Sequence, residues 1–221
     1  VMGSAAHLLI QIPTLWGLGF RYQRLFQWRD KGVISIFKMM SARTFGLAVT
    51  QINLMVITVI ASTLTAGSLT VFNLANNLQT FPVSIFGISF ALAVFPLMAA
   101  APTNEKIIEL FSRTFRHILF FIIPAMVVIV SLRAQIVRLI LGSGKFDWNA
   151  TTLTMDTLAF FALSLFAQAA LPLLTRSFYA QHDSRTPLYT GLAAEAANVT
   201  LSIYFARKWG APGLALGFSL S

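Results

Sequence analysis

The chain has 221 residues, 57% of them hydrophobic and only 10% charged, with a mean hydropathy of +0.75. A water-soluble domain needs roughly 25% charged residues to keep its surface wet, so that class is excluded. The formal charge of +9 does not indicate nucleic-acid binding, because the basic residues lie between apolar runs rather than in one patch, the pattern of membrane topology and contact with anionic lipid. There is no cysteine, so neither a disulfide framework nor a thiolate metal site is available.

A bilayer-crossing helix needs about 20 mostly apolar residues. Residues 1–20 read as the end of one such helix; with no charged leader or small-residue cleavage site, the chain is expected to start inside it. Residues 21–45 read as a basic cytoplasmic linker. From 46 to 221 the sequence predicts an all-α bundle with five whole spans, at about 46–66, 71–101, 115–132, 153–175 and 188–206. A partial span, 213–221, is still apolar where the sequence stops, so the chain is expected to be truncated there. The second span is too long for a straight crossing, and it contains Pro82 with Gly87 a turn later; both weaken a helix locally. Pro124 does the same to the third span. Either proline reads as a structural kink or as a gating hinge beside a cavity, since freed backbone groups in lipid must be satisfied by neighbours or water.

Lys and Arg set the orientation. Arg21, Arg24, Arg29, Lys31, Lys38, Arg43, Lys106, Arg113, Arg116, Arg176 and Arg185 fall on one side, and Arg133, Arg138, Lys145, Arg207 and Lys208 on the other. Eleven against five makes the first side cytoplasmic. The short amphipathic stretch Gln135 to Leu141 is expected along the outer interface.

Polar residues inside the membrane are costly and face a bundle interior or a cavity. The first span carries Gln51 and Asn53, and the second carries Asn73, Asn76, Asn77 and Gln79. Asn73, Asn76 and Asn77, at i, i+3 and i+4, are expected on one face. They read either as interhelical glue, at about 0.6–2 kcal/mol per contact, or as the lining of a hydrated cavity. Glu195 lies mid-way along the fifth span with Asn198 on the same side, among Ala193, Ala194, Ala196 and Ala197. It reads as a proton- or cation-coupling site, as the partner of a buried arginine, or as a protonated carboxyl in a close helix contact.

Nothing reads as catalytic. His7, His117 and His182 have no partners at metal-ligand spacing, the seven acidic residues are scattered, and no cofactor is expected. Gly142-Ser143-Gly144-Lys145 has a phosphate-loop flavour, but Leu139 stands where the motif needs glycine.

Several stretches, in order, resemble the MurJ/MviN family of bacterial lipid II flippases, within the multidrug/oligosaccharidyl-lipid/polysaccharide exporter superfamily. They are HLLIQIP (7–13), GLAVTQIN (46–53), ASTLTAGS (61–68), FNLANNLQTFPVSIF (72–86), Phe95-Pro96, GKFD (144–147), RSFYAQHDSRTP (176–187) and GLALG (213–217). The resemblance implies a fourteen-helix, two-lobe transporter of the plasma membrane, of which this chain would hold the end of helix six to the beginning of helix twelve, mostly the second lobe. It implies transfer of undecaprenyl-pyrophosphate-linked disaccharide-pentapeptide between leaflets by alternating access, with lipid II, membrane lipids and wall-synthesis proteins as candidate partners. Some members carry an acidic residue followed by a pyrophosphate-contacting arginine where this chain has Asn76 and Asn77. Either first-lobe residues supply the cations, or Arg43 at the cytoplasmic mouth does, or the headgroup is bound through amides; Arg43 is the preferred substitute, against its reading as a snorkelling anchor. The expected substrate-binding residues are thus Arg43, Gln51, Asn53, Asn73, Asn76 and Asn77, with Glu195 for coupling. Other readings are a flippase for another polyprenyl-linked oligosaccharide, a cation-coupled drug antiporter of the same superfamily, and a non-transporting scaffold for wall synthesis.

Overall fold

The computed structural model describes residues 31–141 and 148–221, with Pro13 and Gly17; between 31 and 47 only the side chains of Phe37 and Thr44 are described. The first expected helix apart from Pro13 and Gly17, the basic stretch 21–30, the side chain of Arg43, and residues 142–147 with the phosphate-loop-like and GKFD motifs therefore lie outside the described residues. Contacts group the chain into two compact units, Val1–Arg43 and Thr44–Ser221, and the second contains both apolar cores of the bundle.

The described residues form helices and no strands: α1 (Lys31–Ser62), α2 (Ser68–Pro82), a π-helical turn (Val83–Ile88), α3 (Ser89–Ala99), α4 (Asn104–Leu141), α5 (Trp148–Leu163), α6 (Leu165–Ala180), α7 (Arg185–Trp209) and α8 (Ala211–Leu220). The expected all-α membrane bundle is what the chain builds. Exposed side chains include Leu92, Leu97, Ile108, Phe120, Ile123, Val127 and Val128, the inversion a lipid solvent allows.

The boundaries differ from expectation in instructive ways. The second half of the expected linker is helical, because α1 already runs from Lys31; the helix ends at Ser62, and residues 63–67 form a turn. The weakening expected around Pro82 takes the form of a π-helical turn, in which the Ser89 N–H reaches the Ser84 carbonyl. A single π turn of this kind often marks a functional site. In α4 the dihedral break falls at Leu132 (φ −105°, ψ 16°) and not at Pro124, which sits inside the helix; beyond it, 133–141 continues as helix. The fourth expected span is two helices, α5 and α6, bent by 46° at Ser164.

By length and composition two described helices can cross a bilayer, Ser68–Ala99 and Asn104–Leu141, and a third if the bent pair is one span. The expected first span contributes only Ala48–Ser62 to that test. In α7, 25 residues long, Glu195, Asn198 and several threonines dilute the apolar run.

Two apolar cores fill the bundle. One joins Val83, Ala91, Val94 and Met98 to Ile107, Ile118 and Ile122 of α4 and to Leu165, Ala169 and Leu173 of α6. The other joins Ile57 and Ala61 of α1 to Phe72 and Ala75 of α2, Leu158 and Phe161 of α5, Val137, Ala206 and Leu214. Phe72 and Phe161 meet with ring centroids 5.2 Å apart, and Phe218 packs edge-on against Phe161 at 5.5 Å. The chain alternates between these cores along its own helices: Ala75 belongs to one, Val83, eight residues on, to the other.

α7 and α8 form a tight antiparallel pair joined through Gly210, whose φ of 63° suits glycine. A Cβ on Gly213 would collide with the Phe205 carbonyl, and one on Gly217 would stand 2.8 Å from the Ser202 nitrogen. This small-xxx-small spacing lets two backbones touch, the main source of helix association in lipid.

At one end of the bundle, the turn after α3 and the turn between α6 and α7 share a groove of about 460 Å³, lined by Pro102, Thr103, Gln181 and His182 among others. Asp183 organises the second turn by accepting from the Arg185 N–H (2.9 Å), the Thr186 N–H (3.1 Å) and the Thr186 hydroxyl (2.6 Å). Those bonds hold its carboxyl below the usual carboxylate range, the Thr186 hydroxyl contributing most. At the opposite end, Arg138 lies over the Trp148 ring at 5.3 Å, and Lys208 over Tyr204 at 4.5 Å, the basic and aromatic pairing of an interface belt.

Candidate functional site: an amide stripe and the polar layer behind it

The three asparagines of α2 do not behave as one face. Asn73 and Asn77, one turn apart, are exposed, as is Thr80 a further turn on; Asn76 is half-buried, its Oδ1 held by the buried Gln79. The Thr80 hydroxyl donates to the Asn76 carbonyl at 2.7 Å, its own helix satisfying it. Asn73, Asn77 and Thr80 therefore form an outward polar stripe on a helix that is otherwise long and apolar enough to cross a membrane. Their side chains would be costly against acyl tails, so this stripe belongs against water, ligand or protein.

Behind it lies a layer that no local pattern in the sequence assembles. Gln79, only 1% exposed, donates through Nε2 to Asn76 Oδ1 at 2.9 Å. Gln168 of α6 donates through Nε2 to Gln79 Oε1 (2.9 Å) and to Ser164 Oγ (2.7 Å). Ser164 donates to Ser219 of α8 and to the Phe161 carbonyl, both at 3.0 Å, and Ser219 donates to the Phe160 carbonyl at 2.9 Å. These bonds tie α2, α6 and α8 together at the point where α5 breaks into α6. The layer sits between the two cores, Ala75 and Phe161 on one side and Val83 and Leu165 on the other. The break creates the need it fills. The Ser164 N–H bonds the Phe161 carbonyl at 3.2 Å rather than continuing the ladder to Phe160, so the Phe160 carbonyl needs another donor.

The other expected residues are dispersed. Gln51 is exposed, and Asn53 is buried with Oδ1 unpartnered among the described residues. Glu195 is half-buried, and no described residue forms an ion pair with it; the pairing with an arginine does not occur among the described residues. Asn198 is 3% exposed and donates to the Ser221 hydroxyl at 3.1 Å, while its Oδ1 and the Ser202 hydroxyl have no described partner. No group of acidic, histidine or cysteine residues capable of holding a metal occurs among the described residues. The sequence signal for the missing members is Ser164 and Gln168, polar residues one turn apart inside an apolar span.

Long apolar helices, inverted burial, a broken span and a polar layer sealed between two apolar cores define a polytopic α-helical membrane protein. The profile of the family described as lipid II flippase MurJ matches residues 1–221, and the chain belongs to that family. Relatives named "Probable lipid II flippase MurJ" include those of Vibrio cholerae (28% identical over all of this chain and 42% of the relative) and Haemophilus influenzae (29%, all of this chain and 45% of the relative). One from Thermotoga maritima is 26% identical, with 100% of this chain and 45% of the relative covered. The chain thus spans less than half the length of these relatives. A solved structure described as lipid II flippase MurJ in an inward closed conformation superposes with a TM-score of 0.77 at 24% identity, over 89% of this chain and 42% of that one, a likeness of fold.

Proposed function

We propose that the whole protein moves lipid II, the undecaprenyl-pyrophosphate-linked disaccharide-pentapeptide, from the cytoplasmic to the periplasmic leaflet of the bacterial plasma membrane. The residues here supply much of the second of two lobes, and rocking of the lobes about a central cavity gives alternating access. Family membership supports this reading, and the observation in the chain itself that carries it is the exposed stripe of Asn73, Asn77 and Thr80 on a membrane-spanning helix.

Pyrophosphate and sugars cannot cross about 30 Å of hydrocarbon unaided, so they need a hydrated, hydrogen-bonding path while the polyprenyl tail stays in lipid. On this reading Asn73, Asn76 and Asn77 line that path, and Arg43 with first-lobe cations supplies the charge, because Asn76 and Asn77 supply none. Arginine suits pyrophosphate through its bidentate fork. Glu195 couples the cycle to an ion or proton, and Pro82 with its π turn is the place that yields.

The test is complementation: bacteria depleted of their own lipid II flippase should survive on the full-length protein. Death despite normal membrane levels of folded protein would sink the substrate assignment.

A further inference from the structure

We infer that Ser164, Gln168 and Gln79 are positioning residues that lock the Asn76 amide with its nitrogen outward, so that this part of the cavity takes only hydrogen-bond acceptors such as phosphate and sugar oxygens. The inference rests on the flippase reading and adds to it a direction, fixed by proton counting.

The chain of hydrogen bonds is anchored on two atoms that can only accept, the carbonyls of Phe160 and Phe161 at the α5/α6 break. The single proton of Ser219 is used on Phe160. The single proton of Ser164 is shared, in one bifurcated bond, between the Phe161 carbonyl and Ser219, whose own proton is already spent. Ser164 therefore has only lone pairs to offer Gln168, which must present its NH2 group and not its oxygen. The second hydrogen of that NH2 goes to Gln79 Oε1. With its oxygen committed, Gln79 turns Nε2 toward Asn76 and requires an acceptor there, which is Asn76 Oδ1. The Asn76 Nδ2 group is left with two hydrogens and no described protein partner.

An isolated asparagine can rotate its amide to suit a cation, a donor or an acceptor. Asn76 cannot, because flipping it would set two NH2 groups face to face inside a layer where Gln79 is 1% exposed, and an unsatisfied buried polar group is expensive there. The side chain thus behaves as a fixed double donor beside Asn73 and Asn77. That suits oxygen-rich anions and excludes cations from this spot.

The full-length protein in lipid nanodiscs, titrated with farnesyl pyrophosphate and separately with farnesol, tests this. Asn76→Asp, which replaces the donors by an acceptor, should weaken farnesyl pyrophosphate binding roughly tenfold and leave farnesol binding within twofold. Gln79→Met, similar in volume but unable to hold Asn76, should weaken it several-fold without changing farnesol binding. Gln79→Glu should restore it to within twofold of the parent, since a carboxylic acid kept protonated in this dry layer still offers one donor and one acceptor. Unchanged pyrophosphate affinity in both Asn76→Asp and Gln79→Met overturns the inference alone. Equal losses for farnesol and farnesyl pyrophosphate overturn it too, by showing a merely structural role. A parent protein that neither binds farnesyl pyrophosphate nor complements a flippase-depleted strain overturns both the inference and the flippase reading.

Discussion

Gly87 faces the backbone of Ala169 so closely that a Cβ on it would stand 2.7 Å from the Ala169 carbonyl oxygen and 2.8 Å from its Cα. The π turn therefore does more than absorb Pro82: it brings a residue without a side chain to the place where α6 passes. Gly87→Ala should push α6 away and lower stability by about 1–3 kcal/mol, the usual cost of overpacking, and Gly87→Leu by more. Thermal unfolding followed by size-exclusion fluorescence reads this directly. A Gly87→Ala protein as stable as the parent would mean the two helices are free to separate.

The exposed amide stripe makes a prediction about substitution in both directions. Asn77→Leu should abolish complementation while membrane level and melting temperature stay near parental values, since Asn77 is exposed and holds no helix partner. Asn77→Arg adds a cation to the stripe and should keep activity, because on the flippase reading its guanidinium would meet water and pyrophosphate. In a dry interface the same arginine would cost at least about 2.5–3.5 kcal/mol at mid-membrane and the protein would misfold. A destabilised Asn77→Leu with a misfolded Asn77→Arg would show that the stripe is glue.

Topology is tested by single introduced cysteines, since these 221 residues contain none. Ser184, beside Asp183 in the turn before α7, should face the cytoplasm, and Lys208, near the end of the same helix, should face outward. In intact cells an impermeant thiol reagent should label Lys208→Cys and spare Ser184→Cys. The reverse pattern would invert the whole orientation.

Asp183 gives a pH signature. Its folded pKa lies below the usual 3.8 because Thr186 and the Arg185 N–H favour the carboxylate. A depressed carboxylate pKa stabilises the fold above the unfolded value and loses that contribution as pH falls through the folded one. Asp183→Ala should therefore melt at a lower temperature than the parent at neutral pH. The gap should narrow as pH falls below about 4, read as paired melting curves. A gap that holds steady with pH would remove the carboxylate from its capping role.

Much of the fold is legible in the sequence because lipid imposes simple rules. Apolar runs, punctuating basic residues and the ordered motifs from HLLIQIP to GLALG indicate an all-α membrane bundle of this family. Features without a local signature are not legible. Ser164 breaks a span with neither proline nor glycine beside it: its N–H and hydroxyl both turn back to the Phe161 carbonyl, and its partner on α8 is 55 residues away. Gln168 meets Gln79 across 89 residues, a distance no periodicity reports. Glu105, Lys106, Glu109 and Arg113 depress hydropathy, so the apolar run of the third span begins only at 115. The helix itself starts at Asn104, with a Lys106–Glu109 ion pair at 2.8 Å in its first turns. Asn76 and Asn77, adjacent in sequence, differ in that Asn76 is half-buried with its oxygen bonded to Gln79 while Asn77 is exposed, and only packing decides which is which.

The contact of α7 with α8 through Gly213 and Gly217 has a mechanical meaning. Two antiparallel helices in backbone contact, with a single residue joining them, have no compliant side-chain layer in which to slide or tilt. They form one beam, and any displacement of α8 is a displacement of α7, carrying Glu195 and Asn198 with it. The Ser164–Ser219 hydrogen bond fastens that beam to the elbow between α5 and α6. Straightening the elbow must then either lever the beam bodily or part that bond.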